Sequence, residues 1–191
     1  MGNFYTNITL RTSNRAGVEH ALRRAQRTGF ISEATDNALV VFDQACETQD
    51  TEVLIGLATA LSSALDCAAL AVMNHDDSEL YYALVQDGVL VDEYSSNSDF
   101  AGEATPEELS DRAGMLVEAF GAPLRDSARI ADLLGKSQDP DDGGFVFEVE
   151  RHAALVEALG LPPVSSGTGF DYLSSGEFPD GFSAGQFLRV G

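Results

Sequence analysis

The sequence is short of basic residues, of cysteine and of long apolar runs. It has 11 Lys and Arg against 31 Asp and Glu, so the 191-residue chain carries a formal net charge of −20. Its two cysteines, Cys46 and Cys67, do not form a Cys-x-x-Cys motif, which favours reduced thiols that act as small buried apolar residues. The longest apolar runs have the length of strands, so the sequence predicts no transmembrane helix.

The charge is unevenly distributed along the chain. Residues 1–30 hold five arginines against one glutamate, a net charge of +4, so the remaining residues carry −24. An acidic surface of this size repels nucleic acid and anionic membranes. It keeps a protein soluble, and it also attracts basic protein partners. We therefore expect no nucleic-acid or membrane partner, and a basic protein is the partner class that the charge favours.

The N-terminal sequence MGNFYTNITL lacks a basic region followed by an apolar one. We therefore expect no signal peptide, and the predicted location is the cytoplasm. A chain of this length is by default one domain. We divide it into an α+β sheet region, 1–97, and a helical and mixed region, 98–191, packed as one domain with the first. The polar stretch 95–99 marks the boundary.

The first half alternates strands with amphipathic helices. Alternation predicts a strand over 3–12, and two short strands surround a turn at 36–37. Asn14 and Asp50 are placed to cap two helices, the first of which has a basic outer face. Three strands follow, 68–73, 80–85 and 89–94, joined by polar turns of which Asp87-Gly88 is a strong hairpin signal. This order predicts an α+β fold with a ferredoxin-like (split βαβ) N-terminal half extended by a β-meander. We expect the meander in the middle of the fold and the helices on one face of the sheet.

The second half begins with a clear helix start. Thr105 and Glu108 form a capping-box pattern around Pro106, and Gly121 ends that helix. A further helix is predicted over 124–134, followed by an acidic linker, 137–144. Alternating residues over 145–149 predict a strand, 150–159 predicts a helix, and 170–173 and 187–190 predict edge strands.

The first turn of the meander holds one candidate site. His75, Asp76 and Asp77 follow a predicted buried strand, and a histidine with carboxylates suits a metal site or an acid/base pair. Such a site needs a third group, for which Asp92, Glu93 and His152 are candidates. A plain polar turn uses the same residue types. His20 and His152 are otherwise expected at the surface.

A second candidate lies in the acidic linker. Counted from Asp139, the residues Asp141, Gly144 and Glu150 fall at positions 3, 6 and 12 of a calcium-binding EF-hand loop. Position 5 is Gly143, which offers no side-chain oxygen, and position 9 is Phe147. The sequence thus offers Asp139, Asp141 and Glu150 as weak metal ligands, with calcium as the metal, beside the alternative of an acidic linker.

Two further stretches lack complete motifs. The stretch 165–170 could cradle an anion through backbone N–H groups, but it has neither the lysine nor the spacing of a P-loop. Ser165 and Ser166 do not have the spacing of a nucleophile elbow.

Several segments together resemble a group of bacterial proteins of similar length: MGNFYTN at the start, Gln49-Asp50-Thr51, the NHDD turn, Asp87-Gly88 with LVDEY, LGLPP and Gly167-Thr168-Gly169-Phe170. That group carries no assigned activity, so the resemblance implies no catalytic residue. More distantly, the acidity and the helix-plus-meander content are similar to small acidic bacterial chaperones, namely type III secretion chaperones and YbjN-like proteins. Those proteins usually begin with a helix, so this likeness is only a functional analogy.

These observations predict a non-catalytic interaction or adaptor protein whose acidic surface meets a protein partner. No complete catalytic set is present in the sequence. The rival interpretation is a metal- or small-ligand-binding protein, or an enzyme, that uses the turn His75-Asp76-Asp77, with Asp92 as a further binding candidate.

Overall fold

The computed structural model describes residues 2–97 and 104–191. The strands are β1 (Tyr5–Leu10), β2 (Gly29–Ile31), β3 (Leu39–Asp43), β4 (Ala69–His75), β5 (Glu79–Gln86), β6 (Val89–Ser95) and β7 (Leu188–Val190). The helices are α1 (Arg15–Arg24), α2 (Thr51–Leu65), α3 (Pro106–Phe120), α4 (Ser127–Gly135), α5 (Glu148–Leu159) and α6 (Phe170–Ser175). Within the described residues the strands form one seven-stranded sheet in the order β6-β5-β4-β1-β3-β2-β7. All of its neighbouring strands are antiparallel. The predicted α+β class is thus confirmed.

The helix starts are formed by the capping residues that the sequence predicts. The side chain of Asn14 accepts a hydrogen bond from the backbone N–H of Gly17, and that of Asp50 accepts one from Glu52. At the start of α3, Thr105 and Glu108 form a reciprocal capping box around Pro106. Each cap satisfies N–H groups that a helix cannot satisfy internally.

Each turn of the meander has two consecutive residues with positive φ; three residues separate the paired His75 and Glu79, and two separate Gln86 and Val89. Asp76 and Asp77 have φ of 52° and 54°, and Asp87 and Gly88 have 51° and 74°. This backbone twist matches the twist of paired strands, and Asp and Gly tolerate it. The turns therefore join β4, β5 and β6 as neighbouring antiparallel strands, and the pairing of β5 with β6 shifts register between Leu84 and Val85.

The first face of the sheet is covered by α1 and α2. Alternate residues of a strand point to opposite faces, and one set packs against these two helices. Its members include Ile8, Leu10, Leu39, Val41, Ala71 and Val85 from the strands, and Val18, Leu22, Leu54 and Leu61 from the helices.

The second face is covered by the C-terminal half, so the prediction of helices on one face is wrong. Leu70, Val72, Tyr82 and Leu84 pack against α3, α4 and α5. At the other end of the same face, Phe30, Val40 and Phe42 pack with Val164, Phe170, Leu173 and Phe187. Strands buried on both faces read as nearly continuous apolar runs, and this second layer is why β4 and β5 have that pattern.

Three other expectations need correction. The centre of the sheet is β1, while the meander lies on one side of it and ends at the edge strand β6. Residues 145–147 form no strand, because α5 already begins at Glu148. Residues 170–173 belong to α6 and not to an edge strand. Short apolar windows do not distinguish a helix from a strand, and tertiary packing decides between them.

The C-terminal β7 joins the sheet by pairing with β2, which agrees with the predicted edge strand at 187–190. In the described ranges no helix has both the length and the apolar character needed to cross a membrane. The predicted boundary loop 95–99 is described only as far as Asn97, and residues 98 and 99 lie outside the described residues.

Candidate binding site

Two of the predicted site residues, Asp76 and Asp77, hold the chain that leads into β1. Oδ1 of Asp76 accepts a hydrogen bond of 2.9 Å from the backbone N–H of Gly2. Oδ2 of Asp77 accepts from the backbone N–H and the side-chain amide of Asn3, both at 3.0 Å. The two carboxylates therefore act as acceptors for the N-terminal segment.

Asp92 lies far from this turn. It sits on β6 opposite Leu84, whereas His75 pairs with Glu79 at the opposite end of β5. Asp92 instead forms an ion pair of 2.6 Å with Arg112 of α3 and accepts a hydrogen bond of 2.8 Å from the Tyr82 hydroxyl. The structure therefore does not bring Asp92 to His75.

His152 lies in the interior, so the expectation of a surface position is wrong, whereas His20 is exposed. Nδ1 of His152 lies 2.8 Å from the hydroxyl oxygen of Tyr5 on the central strand. Burial lowers the pKa of His152 to about 3, because the charged imidazolium loses its hydration in the interior. This neutral histidine lies on the second face of the sheet, whereas the side chain of His75 lies at the edge of the first.

Two of the three weak metal candidates, Asp139 and Glu150, accept local backbone hydrogen bonds with their side chains. Oδ1 of Asp139 accepts from the backbone N–H of Asp141 at 2.9 Å, and Oε2 of Glu150 accepts from that of Phe147 at 3.2 Å. Among the residues that the structure describes, no group of three His, Cys, Asp or Glu side chains is placed to hold a metal ion.

The Ser/Gly loop near residue 165 packs on the central strand. The backbone carbonyls of Ser165 and Thr168 accept hydrogen bonds of 2.7 and 3.0 Å from the side-chain amide of Asn7. Both hydrogen bonds are buried. The loop thus seals the second face beside β1.

An open cavity of about 520 Å³ lies beside the His75 turn. It is lined by Phe4, Glu47, Thr48, Gln49, Met73, His75, Glu79 and Asp171. Three of these residues carry carboxylates, and none of the described lining residues is Lys or Arg. Cavities of this size suit small ligands or single side chains of a partner. We call this cavity, with its eight lining residues, the acidic cavity.

Glu47 is the most constrained carboxylate of the acidic cavity. Strand β1 pairs with β3 only over Ile8–Leu10, so the N–H of Thr6 needs another acceptor. Oε1 of Glu47 accepts from that N–H at 3.3 Å, from the Thr6 hydroxyl at 3.2 Å and from the N–H of Phe170 at 3.0 Å. These partners lie 41 and 123 positions away in the sequence, so no local motif indicates this residue.

The surroundings of Glu47 change its acidity. Burial raises the pKa of its carboxyl group to about 6, and the nearby negative charge of Asp171 acts in the same direction. Hydrogen bonds from Phe170 and Thr6 oppose the shift, because they stabilise the charged form. A cation in the cavity would likewise stabilise the carboxylate.

His75 forms one wall of the acidic cavity together with Phe4. Its Nδ1 lies 2.5 Å from the side-chain oxygen of Gln49, whose amide nitrogen donates to the carbonyl of Asn74 at 2.9 Å. The ring of Phe4 meets the His75 ring edge-on, with 5.1 Å between the ring centroids. Phe4 remains 43% exposed. The cavity therefore combines an aromatic wall with carboxylates, which suits an organic cation.

No family model matches the sequence, and no curated protein and no solved structure gave a match.

Proposed function

We propose that the protein is a non-catalytic interaction or adaptor protein that binds a basic protein partner at the acidic cavity. The observation that carries this proposal is the lining of the cavity, which brings Glu47, Glu79 and Asp171 together without a Lys or Arg among the described lining residues. Complementary charge steers association and selects partners of opposite sign.

The contacts that the N-terminal arginines make within the protein support a basic partner over a phosphate-rich one. Arg27 pairs with Asp43 at 2.6 Å, and Arg23 pairs with Glu19 at 2.8 Å. Arg15 donates to the backbone carbonyls of Ile31 and Gln186 at 2.8 and 3.0 Å. Arg15, Arg23 and Arg27 are therefore engaged within the protein, and the overall charge of −20 remains dominant.

We further propose that β1 to β4, with α1 and α2, form a ferredoxin-like (split βαβ) unit. The support is the strand order β4-β1-β3-β2, in which neighbours are antiparallel and both helices pack on the same face. The cytoplasm is the proposed location. We also propose, by functional analogy alone, that the protein resembles small acidic bacterial chaperones. That analogy implies an acidic surface that binds a basic client protein.

The alternative function is a metal- or small-ligand-binding protein, or an enzyme, that uses the His75 turn. His75 itself favours it, because the ring lines the acidic cavity. Asp76 and Asp77 favour it less, because they accept hydrogen bonds from Gly2 and Asn3. Thermal-shift titration with calcium and with zinc tests it: a melting temperature that rises with metal concentration, and a rise that His75→Ala removes, would support this alternative.

The experiment that tests the leading proposal is a pull-down with the purified protein as bait, washed at low and at high salt. We expect a basic protein to be retained at low salt and released at high salt, because screening weakens charge pairing. The double variant Glu47→Gln, Asp171→Asn should lose it. A matched control, Asp111→Asn with Glu118→Gln, removes the same charge from exposed positions of α3 and should retain it.

The result that would contradict the proposal is equally specific. Equal retention by the two double variants would show that overall charge, and not the acidic cavity, captures the protein. No retained basic protein at either salt concentration would remove the support for an interaction function.

A further inference from the structure

We infer that the acidic cavity binds one arginine side chain of the partner, with Glu47 as its carboxylate anchor and Phe4 as its aromatic wall. This inference rests on the proposed function and adds to it the side chain that is recognised. It concerns residues that lie far apart in the sequence and meet only in the folded chain.

The placement of the carboxylates in the acidic cavity favours an extended cation over a metal ion. A metal ion needs several ligand atoms within about 2.0–2.6 Å of one point. The carboxylates of Glu47, Glu79 and Asp171 share one cavity of about 520 Å³, yet among the described residues no three metal-ligating side chains converge. A cation that spreads its charge over several atoms suits separated carboxylates.

The position of Glu47 leaves one oxygen available for such a ligand. The hydrogen bonds that described residues donate to this carboxylate, from Thr6 and Phe170, all reach Oε1. They hold the carboxylate in place while Oε2 stays without a donor among the described residues. A guanidinium group would supply that donor, and the charge-assisted hydrogen bond that forms is stronger than a neutral one.

The aromatic wall distinguishes arginine from lysine. The guanidinium group is planar, stacks on aromatic rings and is less strongly hydrated than an ammonium group. Phe4 offers a partly exposed ring whose edge-on contact with His75 holds it at the cavity wall. His75 is in turn held by Gln49. A stacked guanidinium can therefore contact Phe4 and Glu47 within one cavity.

Nuclear magnetic resonance titration of the full chain with short peptides tests this inference. The probes are acetylated, amidated Gly-Gly-Arg-Gly-Gly, the same peptide with lysine, and the same peptide with citrulline, an uncharged relative of arginine. A mixed Lys/Arg nonapeptide serves as a general basic probe. We expect the arginine peptide to shift the backbone amide signals of Phe4, Thr48 and Gln49, the lysine peptide to bind more weakly, and the citrulline peptide to leave the signals unchanged.

Variants that change single side chains provide the second arm of the test. Glu47→Gln retains an oxygen that accepts from Thr6 and Phe170, and it should weaken arginine-peptide binding about tenfold. The control Glu118→Gln removes one negative charge from exposed α3 and should leave the affinity within about twofold. Phe4→Leu should reduce the preference for arginine over lysine, since it removes the ring and keeps an apolar side chain. The amide spectrum of each variant shows whether the fold is retained, and Asp171→Asn replaces Glu47→Gln if it is not.

The outcomes separate the inference from the proposed function. If the lysine peptide binds at the acidic cavity as tightly as the arginine peptide, the arginine site is wrong and the proposed function stands. If the nonapeptide binds but shifts signals outside the acidic cavity, or if Glu47→Gln and Glu118→Gln lose affinity equally, neither the arginine site nor the placement of the partner at the cavity is right. If the citrulline peptide binds as well as the arginine peptide, charge recognition in the cavity is wrong. If none of the basic probes binds, both the arginine site and the proposed function fail.

Discussion

The hydroxyl oxygen of Tyr5 lies 2.8 Å from Nδ1 of His152, which ties the central strand to α5 across 147 positions of sequence. Their rings stack with 5.8 Å between centroids and an angle of 15°. Burial lowers the pKa of His152 to about 3 and raises that of the Tyr5 hydroxyl. Both groups are therefore neutral at neutral pH, and the tautomer of His152 sets which of the two donates the hydrogen bond.

The neutral state of His152 predicts a dependence of stability on pH. Below about pH 6.5 the unfolded chain protonates this histidine and the folded chain does not. The free energy of unfolding should therefore fall by about 2 kcal/mol between pH 7 and pH 5 because of this group. Urea unfolding at both pH values measures it. In His152→Phe, the fall in the free energy of unfolding between pH 7 and pH 5 should be about 2 kcal/mol smaller than in the wild type. His20→Gln, which changes an exposed histidine, should show the same fall as the wild type. Parallel curves for wild type and His152→Phe would contradict the prediction.

The raised pKa of Glu47 predicts that its carboxyl group titrates above the usual pH range of a glutamate. The carboxyl group should titrate near pH 6, seen as a chemical-shift change of its carboxyl carbon. Asp171, Glu79 and His75 face the same cavity, so the curve reports their charges as well. Because the folded state binds this proton more tightly than the unfolded state, its contribution to stability is present below about pH 4.5 and is lost as the pH rises through 6.

The affinity of the acidic cavity for a cation should rise as the Glu47 carboxyl group loses its proton, between about pH 4.5 and pH 6. In Glu47→Gln this rise should be smaller. A midpoint near the ordinary value of 4.5 would show that the group is solvated.

The buried ion pair of Arg151 with Glu148 predicts a large cost for removing one partner. Nε of Arg151 donates to Oε2 of Glu148 at 2.7 Å, and its terminal nitrogens donate to the backbone carbonyls of Leu133, Leu134 and Lys136 at 2.6 to 3.2 Å. Both side chains are almost wholly buried. Arg151→Met should reduce the free energy of unfolding by about 3–5 kcal/mol, because it leaves a buried carboxylate without its cation.

A double-mutant cycle separates the pair from its surroundings. The double variant Glu148→Gln, Arg151→Met should lose less stability than the sum of the single variants, because it removes both charges. Strictly additive losses, measured by denaturant unfolding, would show that the two side chains are not energetically coupled.

Two glycines predict opposite effects of the same substitution. Gly88 has φ of 74°, and a Cβ there would lie 2.7 Å from Cβ of Ser63. Gly88→Ala should therefore destabilise the protein by about 1–3 kcal/mol. Gly114 lies in α3 with no atom within 4 Å of an added Cβ, so Gly114→Ala should stabilise it by roughly 0.5–1 kcal/mol. Thermal unfolding of the two variants checks both signs, and a shift in the same direction for both would contradict the backbone argument.

Local features of the fold could be predicted from the sequence. The caps at Asn14 and Asp50, the capping box at Thr105 and the turn at Asp87-Gly88 each depend on residues a few positions apart. The alternation of 145–149 and the apolar run 170–173 suggested strands and were wrong, since windows of four or five residues carry too little periodicity to exclude a helix.

The candidate site could be predicted only in part. His75 lines the acidic cavity as a member of a turn that the sequence singled out, whereas Asp92 lies at the opposite end of β5 and pairs with Arg112. Glu47 carried no signal, because its partners Thr6 and Phe170 are distant in the sequence. Asp139, Asp141 and Glu150 have the spacing of a calcium loop and remain weak metal candidates, and the side chains of Asp139 and Glu150 accept local backbone hydrogen bonds.

The sequence alone determined the α+β class, the order of most helices and strands, the turn at Asp87-Gly88 and the net negative charge. These properties depend on short-range periodicity, on turn and capping residues and on composition, which are all visible along the chain. Tertiary structure alone decided that the C-terminal half covers the second face of the sheet, that His152 is buried against Tyr5, and that Glu47 meets Asp171 in one cavity. Burial, desolvation and the convergence of charges depend on which distant segments pack together, and no local pattern encodes that choice.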